Sequence, residues 1–367
     1  MKPNLIHGGN VYKAAQELNI SHDDILDFSA NINPLGFPEA VKSIILNHIK
    51  DIVHYPDVEQ IELKKAAAEY YGTSPESIMP GNGSVELIHI VLEALKPSRA
   101  IIPSPTFAEY AISCQSRNID TLFINLRPNN FKFDFQMVNN LTDEIIPNSI
   151  IILCNPNNPT GLLTKQQDIS VLLDILSDKK AYLLVDEAFM DFVDVDESMA
   201  TFIEKYDNLM VLKSVTKFFA LPGLRLGFVL ACPELIKKFY TLKDPWNINT
   251  FAGLVGAKVL QDKHYIDKTR KYIREEKLRF WENLKNVPAI QPLYPEANFI
   301  FIKITAADIK VPLLAESLKK NRILIRDCSN YMFLDDSFFR VAVKRREDND
   351  IFVSALKEVL EKEKGCL

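Results

Sequence analysis

Lys217 is flanked by two small hydroxyl residues in Ser214-Val215-Thr216-Lys217, and Arg225 follows in Gly223-Leu224-Arg225-Leu226-Gly227. The residues after the lysine, Phe218 to Leu221, are largely apolar. Such surroundings disfavour an ammonium and favour the neutral amine, the form that attacks a carbonyl to make a Schiff base. Ser214, Thr216 and Arg225 are the donors a phosphate group needs close by. An amine beside a phosphate cradle is what pyridoxal phosphate requires of a protein. A surface lysine before a Pro-Gly turn would carry part of the same pattern, so the neighbouring segments have to decide.

Three further segments follow short apolar runs directly. Pro103-Ser104-Pro105-Thr106-Phe107 offers Phe107 as a ring to stack on a flat cofactor. Asn155-Pro156-Asn157-Asn158-Pro159-Thr160-Gly161 offers the Asn158 amide for a ring hydroxyl. Asp186, at the end of Tyr182-Leu183-Leu184-Val185, offers a carboxylate for a pyridine nitrogen. Each has a plainer reading as core aromatic, proline turn or helix cap. Met79-Pro80-Gly81-Asn82-Gly83-Ser84 leads into the helical spacing of Val85 to Leu95. Glycines before a helix N-terminus make an anion site, with Ser84 expected as the N-cap. The segment lacks the third glycine of a dinucleotide fingerprint, and Glu86 stands in its place.

These residues need a scaffold that brings strand ends together. Apolar runs at Arg99–Ile102, Thr121–Asn125, Ser149–Cys154, Ala181–Val185, Leu209–Leu212 and Leu226–Ala231 read as strands covered on both faces. Helices are expected over Val11–Leu18, Pro38–Lys50 and Glu62–Tyr71, the last ending at Gly72. After Pro245-Trp246-Asn247 the pattern changes. A long amphipathic helix, Tyr265–Leu284, places Ile266, Ile273 and Phe280 on one stripe. Strands near Phe299–Ile304 and Phe339–Val343 and helices around Val311–Lys320 and Asp348–Lys362 complete a second unit. The expected fold is α/β: an arm over residues 1–37, a large domain over 38–250 with a mostly parallel sheet, and a smaller α+β domain over 251–367.

A chain of 367 residues is long enough for two cores, and a net charge of −5 gives no general affinity for nucleic acid or an anionic membrane. No apolar run approaches the ~18 residues that span a bilayer. Five cysteines without a Cys-x-x-Cys pair indicate a reducing compartment, so a cytoplasmic protein is expected.

Asn158-Pro159-Thr160-Gly161, Asp186-Glu187-Ala188-Phe189, Ser214-Val215-Thr216-Lys217 and Gly223-Leu224-Arg225-Leu226-Gly227 together resemble the class I/II aminotransferases, the pyridoxal-phosphate enzymes of fold type I, in order and spacing over essentially the whole chain. His7-Gly8-Gly9-Asn10, Asp27 to Gly36, Phe107-Ala108-Glu109-Tyr110 and Ile323-Leu324-Ile325-Arg326 narrow the match. They are similar to histidinol-phosphate aminotransferases and, more closely, to the L-threonine-O-3-phosphate decarboxylases of cobalamin biosynthesis. Phe189 departs from the commoner aminotransferase pattern, in which a tyrosine bonds the cofactor's 3-oxygen.

The resemblance implies Lys217 as the catalytic lysine that bonds the cofactor, Asp186 at the ring nitrogen, Asn158 at the 3-oxygen and Phe107 on the ring face. It implies Gly83, Ser84, Val85, Ser214, Thr216 and Arg225 around the phosphate, with Tyr55 reaching the phosphate of a second subunit in a homodimer. His7, Gly8, Asn31, Asn158, Arg326 and Arg340 would hold the anionic groups of the substrate. The implied reaction is decarboxylation of a phosphorylated amino acid, with transamination as the alternative. A cofactor-sensing DNA-binding regulator on the same fold is disfavoured: only about 40 residues precede the first helix of the fold, too few for a DNA-binding module. No metal is expected.

Overall fold

The structure, a computed structural model, describes residues 8–365. His7 lies outside them. In chain order the strands begin with β1, Leu26–Asp27. Seven more form the large sheet: β2 Ile78–Gly81, β3 Arg99–Ser104, β4 Asp120–Asn125, β5 Ser149–Cys154, β6 Tyr182–Asp186, β7 Leu209–Ser214 and β8 Gly227–Ala231. Then come β9 Ile290–Pro292, β10 Phe299–Ile304, β11 Ile323–Leu324, β12 Arg326–Asp327 and β13 Phe338–Ala342.

The large sheet runs β2-β8-β7-β6-β5-β3-β4. Strands β3 to β7 pair in parallel, and β8 is antiparallel to both β7 and β2. Every residue of β5 and β7 is buried, as expected of strands covered by helices on both faces. The loops after β3, β5, β6 and β7 therefore emerge on one side of the sheet, where α/β sheets place their sites. The expected strands stand within a residue or two of their expected bounds. Ile78–Gly81, to which the sequence assigned no element, is the strand β2. It is short and at the sheet edge, where the missing N–H of Pro80 costs no central ladder bond.

A second, antiparallel sheet runs β12-β13-β10-β9. The helix Lys263–Lys285 packs on it, burying Ile273 and Phe280 completely. The helix Thr250–Val259 packs instead on Ile61–Tyr71 and Ala40–Asn47 of the larger layer. The helix Ile61–Tyr71 ends at Gly72, whose φ of +69° is the left-handed cap that glycine adopts without strain.

The N-terminal segment is stitched into both layers. β1 pairs in parallel with β11, and Ala342 N donates to Phe28 O at 2.8 Å. Phe28 is fully buried against Phe352, with ring centroids 4.7 Å apart. The Asn33 amide donates to Phe218 O at 2.7 Å, and Asn33 N donates to Lys217 O at 3.1 Å. Residues 26–36, part of the expected arm, are thus fixed against the lysine segment itself. Among the described residues no helix is long and apolar enough to cross a membrane, and Cys114, Cys154, Cys232 and Cys328 are free and buried.

Candidate active site

Register in the large sheet brings four loops together. Gly81 of β2 and Ser214 of β7 both pair with Gly227 of β8. The turn that opens the helix Ser84–Leu95 is thereby set beside the Ser214–Lys217 turn. The approach is close: a Cβ on Gly227 would lie 3.0 Å from Ser84 N, and one on Gly83 would lie 2.6 Å from an Arg225 guanidinium nitrogen. Gly83 also has φ +81°, so only glycine fits both the space and the backbone. Gly83 is the N-cap of this helix, and the expectation that Ser84 would be is corrected. The positive φ at Gly83 ends the extended chain one residue earlier, and Ser84 becomes the first helical residue. No side chain caps the end. Glu86 instead reaches back to Asn82 N at 2.6 Å and accepts from Asn247 Nδ2 at 2.8 Å, which accounts for the acid at the place of a third glycine. The first-turn N–H groups of Ser84 and Val85 remain available to an anion.

Across this turn, Lys217 Nζ donates to Ser214 Oγ at 3.0 Å, and the Ser214 and Thr216 hydroxyls lie 2.8 Å apart. Arg225 holds φ +58°, a left-handed conformation unusual for a non-glycine residue, and is braced to Pro222 O at 3.3 Å. Burial pushes the Lys217 amine pKa down. The Asp186 charge opposes that shift and Arg225 adds to it.

Asp186 ends β6 and is almost fully buried. Its Oδ2 accepts from Tyr110 Oη at 2.7 Å and its Oδ1 from Ala188 N at 3.0 Å. Burial raises its pKa, while Lys217, Tyr110 and the Ala188 N–H pull it back. Above this floor lies a cavity of about 530 Å³. Phe107, Asn158, Phe189 and Lys217 line one part of it, and Gly8, Asn31, Arg326 and Arg340 the other.

The second part is built by the smaller sheet. Arg326 of β12 and Arg340 of β13 stand directly opposite each other in the antiparallel register, and both are buried. Like charges in that arrangement repel. Both are held by neutral acceptors. Arg340 donates to Ser29 O at 2.7 Å and to Asn158 Oδ1, and Arg326 donates to Asn330 Oδ1 at 2.9 Å and to Asp327 O. The Arg340 guanidinium lies over the Phe299 ring at 5.2 Å and that of Arg326 over Tyr331 at 4.9 Å. Arg340 Nε and Asn31 Oδ1 are buried without a partner. A cavity with two facing guanidiniums and a spare buried donor suits a substrate with more than one anionic group.

Most residues expected from sequence therefore meet here: Gly83, Ser84, Val85, Ser214, Thr216 and Arg225 around one turn, and the rest around the adjoining cavity. Tyr55 does not. It is 79% exposed and stacks on Trp246 at 4.6 Å, outside this chain's cavity. Three participants went unassigned in the sequence. Tyr110 sits three residues after Phe107, in the first turn of the helix Glu109–Gln115. Tyr331 donates to Asn158 Oδ1 at 3.3 Å, and Ser29 supplies a carbonyl to Arg340. Only Tyr110 had a signal in the sequence, its closeness in the chain to Phe107. The donor set fits pyridoxal phosphate. The glycine-lined turn and hydroxyls suit a phosphate, a depressed lysine suits an aldehyde, and a buried carboxylate suits a pyridine nitrogen.

The family model for aminotransferase class I and II matches residues 23–356. The threonine-phosphate decarboxylase of Salmonella typhimurium is 35% identical, covering 97% of each chain. An adenosylcobalamin biosynthesis bifunctional protein of Leptospira interrogans is 32% identical over 96% of this chain and 41% of its own length. Among solved structures, the histidinol-phosphate aminotransferase from Clostridium acetobutylicum is 34% identical with a TM-score of 0.86, covering 92% of this chain and all of that one.

Proposed function

The chain belongs to the class I and II aminotransferase family, and from that premise we propose that it is a pyridoxal-phosphate-dependent carboxy-lyase. Its substrate is L-threonine O-3-phosphate, its product (R)-1-amino-2-propanol O-2-phosphate, and its place is cobalamin biosynthesis. The observation that carries the reading is the pair of buried, facing arginines at 326 and 340, each hydrogen-bonded to neutral acceptors. The substrate brings one carboxylate and one phosphate, an anion for each. Histidinol phosphate brings a single anionic group and leaves one guanidinium facing the other uncompensated. Two-carboxylate substrates such as 2-oxoglutarate would use both arginines, which makes transamination the rival to test.

Bound in this site, the cofactor supplies an electron sink that weakens whichever Cα bond stands across the plane of its ring. Lys217 Nζ would be the amine that bonds the cofactor aldehyde. Asp186 would pair with the ring nitrogen, the Asn158 amide with the 3-oxygen, and Phe107 would cover a ring face. Ser84, Val85, Ser214, Thr216 and Arg225 would hold the phosphate, with Gly83 giving it room. Arg326, Arg340, Asn31, Gly8 and His7 orient the substrate, so that the carboxylate and not the Cα hydrogen takes the labile position. As CO2 leaves, Lys217 Nζ returns a proton to Cα. Phe189 lies edge-on to Phe299, 5.0 Å between centroids, and brings no hydroxyl to the 3-oxygen.

The protein works as a cytoplasmic homodimer. Leu46, Ile49, Ile52, Val53, Tyr55, Ile61 and Trp246 are all exposed apolar or aromatic residues, more than a free surface ordinarily carries in one stretch. A second copy would cover them and receive Tyr55 at its phosphate site. Sedimentation at working concentration reads this directly, and a fully active monomer contradicts it. The chain divides into an arm (1–37), a large domain (38–250) and a smaller one (251–367), with the helix Thr250–Val259 as the joint.

The activity is tested by product analysis of the purified enzyme with O-phosphothreonine alone, and with histidinol phosphate plus 2-oxoglutarate. Release of CO2 and an aminoalkyl phosphate from the first is expected. Glutamate formation from the second at a higher kcat/KM overturns the assignment.

A further inference from the structure

Tyr110 is fully buried in the helix Glu109–Gln115, directly beneath the site. Its hydroxyl donates to Asp186 Oδ2 at 2.7 Å. Its ring meets Phe107 edge-on, with centroids 5.6 Å apart. One side chain thus braces both the ring placed on the cofactor face and the carboxylate placed under its nitrogen.

We infer that Tyr110 is a positioning residue acting through Asp186: its hydrogen bond keeps the proton shared by Asp186 and the bound cofactor's ring nitrogen on the nitrogen. The inference rests on the reading of Asp186 as that nitrogen's partner.

One proton lies between two bases. It can sit on the nitrogen, leaving pyridinium and carboxylate, or on the oxygen, leaving pyridine and carboxylic acid. Burial favours the second, uncharged arrangement. Every donor to the carboxylate favours the first, because a hydrogen bond to an ionised acceptor is stronger than one to a neutral acceptor. The groups facing Asp186 are few. Lys217 draws the Asp186 pKa down. Glu187, next in the chain, is paired with the buried Lys213. The Cys154 thiol is pushed up to about 12 by burial and stays neutral. Burial also holds the Tyr110 phenol well above its ordinary value, so it remains a donor across the working pH range. The hydrogen bonds to the carboxylate come from Tyr110 and from Ala188 N, and only the first is set by a side chain. The electron sink is strongest when the nitrogen is protonated, so Tyr110 adjusts the cofactor without touching it.

The test is the 15N resonance of ring-labelled cofactor in the holoenzyme. Tyr110→Phe keeps the ring and removes the donor. The resonance should move toward neutral pyridine, with the proton's distribution changing by about tenfold, the worth of one hydrogen bond to a charged group. Replacing Tyr110 with 3-fluorotyrosine, a stronger donor of nearly the same size, should move it toward pyridinium. Opposite displacements from wild type support the inference, since a merely structural role has no reason to follow donor strength. If Tyr110→Phe does not fold, the fluorotyrosine protein decides alone. A resonance that stays at the wild-type position in the variants overturns the inference. Asp186→Asn separates the two levels: if it too leaves the resonance in place, the assignment of Asp186 to the ring nitrogen is what fails.

Discussion

At the cofactor end of the cavity, Ser214, Thr216 and Lys217 lie within one turn of chain, and Lys217 Nζ bonds Ser214 Oγ three residues away. At the substrate end, Arg340 bonds Ser29 O across 311 positions and Asn158 across 182. The first is a local device at the end of a parallel sheet. The second is assembled from an N-terminal arm, a strand-end loop and a separate antiparallel sheet. The contrast divides the chemistry. The local device is what any enzyme with this cofactor requires. On the proposed reading, the assembled wall would select the substrate and set which of its bonds is presented for cleavage. One fold can host several reactions because the second part can change while the first stays.

The sharpest break of this division is Lys217→Ala. Removing the amine should cut decarboxylation by about a thousandfold or more, in line with the loss of a positioned acid–base group and attachment point. Borohydride should then fail to fix cofactor to the chain, whereas in wild type the reduced adduct maps to residue 217. An adduct on another lysine would remove Lys217 from the site.

Arg326→Ala attacks the other end and should have a smaller, different effect. Losing a charge-assisted bond should weaken O-phosphothreonine binding by roughly one to two decades. Decarboxylation should fall more than exchange of the Cα hydrogen in deuterated water, because the looser substrate presents its hydrogen part of the time. Equal losses in both rates would mean that the arginine supplies affinity alone, and Arg340 and Asn31 would be next to examine.

The smallest effect is on stability, and it returns to the cofactor end. The folded-state pKa of Asp186 is raised, chiefly by burial. The folded apoprotein therefore holds the proton to higher pH than the unfolded chain does. Stability falls as pH rises from the unfolded carboxylate value, about 3.9, through the raised folded value. Asp186→Asn should remove that loss, raising the apo Tm at neutral pH by about 1 °C if the relief is near 1 kcal/mol. The gain should vanish below about pH 4, while cofactor affinity falls. An apo Tm that drops at neutral pH would show that the carboxylate stabilises the empty site and that its burial is not the dominant influence.

The strands of the large sheet and the cofactor end were legible because their causes are local. Runs of buried apolar residues mark parallel strands, and Asp186, Ser214 and Lys217 follow such runs directly. Phe107, Asn158 and Arg225 stand a few residues beyond. Gly83 could be read from the same logic, a glycine before a helix. Its role as N-cap in place of Ser84 depended on a left-handed φ that spacing does not encode. The substrate end was legible only by resemblance. Nothing in the spacing of Asn31, Asn158, Arg326 and Arg340 says that they meet; the pairing of β12 with β13, and of β1 with β11, says it. Tyr55 is the extreme case, since its proposed role lies on another copy of the chain. Sequence alone determined the type of fold and the cofactor, and it pointed to Lys217 as the candidate lysine, because the motifs concerned each span a few residues of backbone. Tertiary structure decided that two arginines face each other with an unpartnered Nε between neutral acceptors, and that Tyr110 bonds Asp186. Those are contacts between distant segments, fixed by how two sheets pack and not by any local pattern.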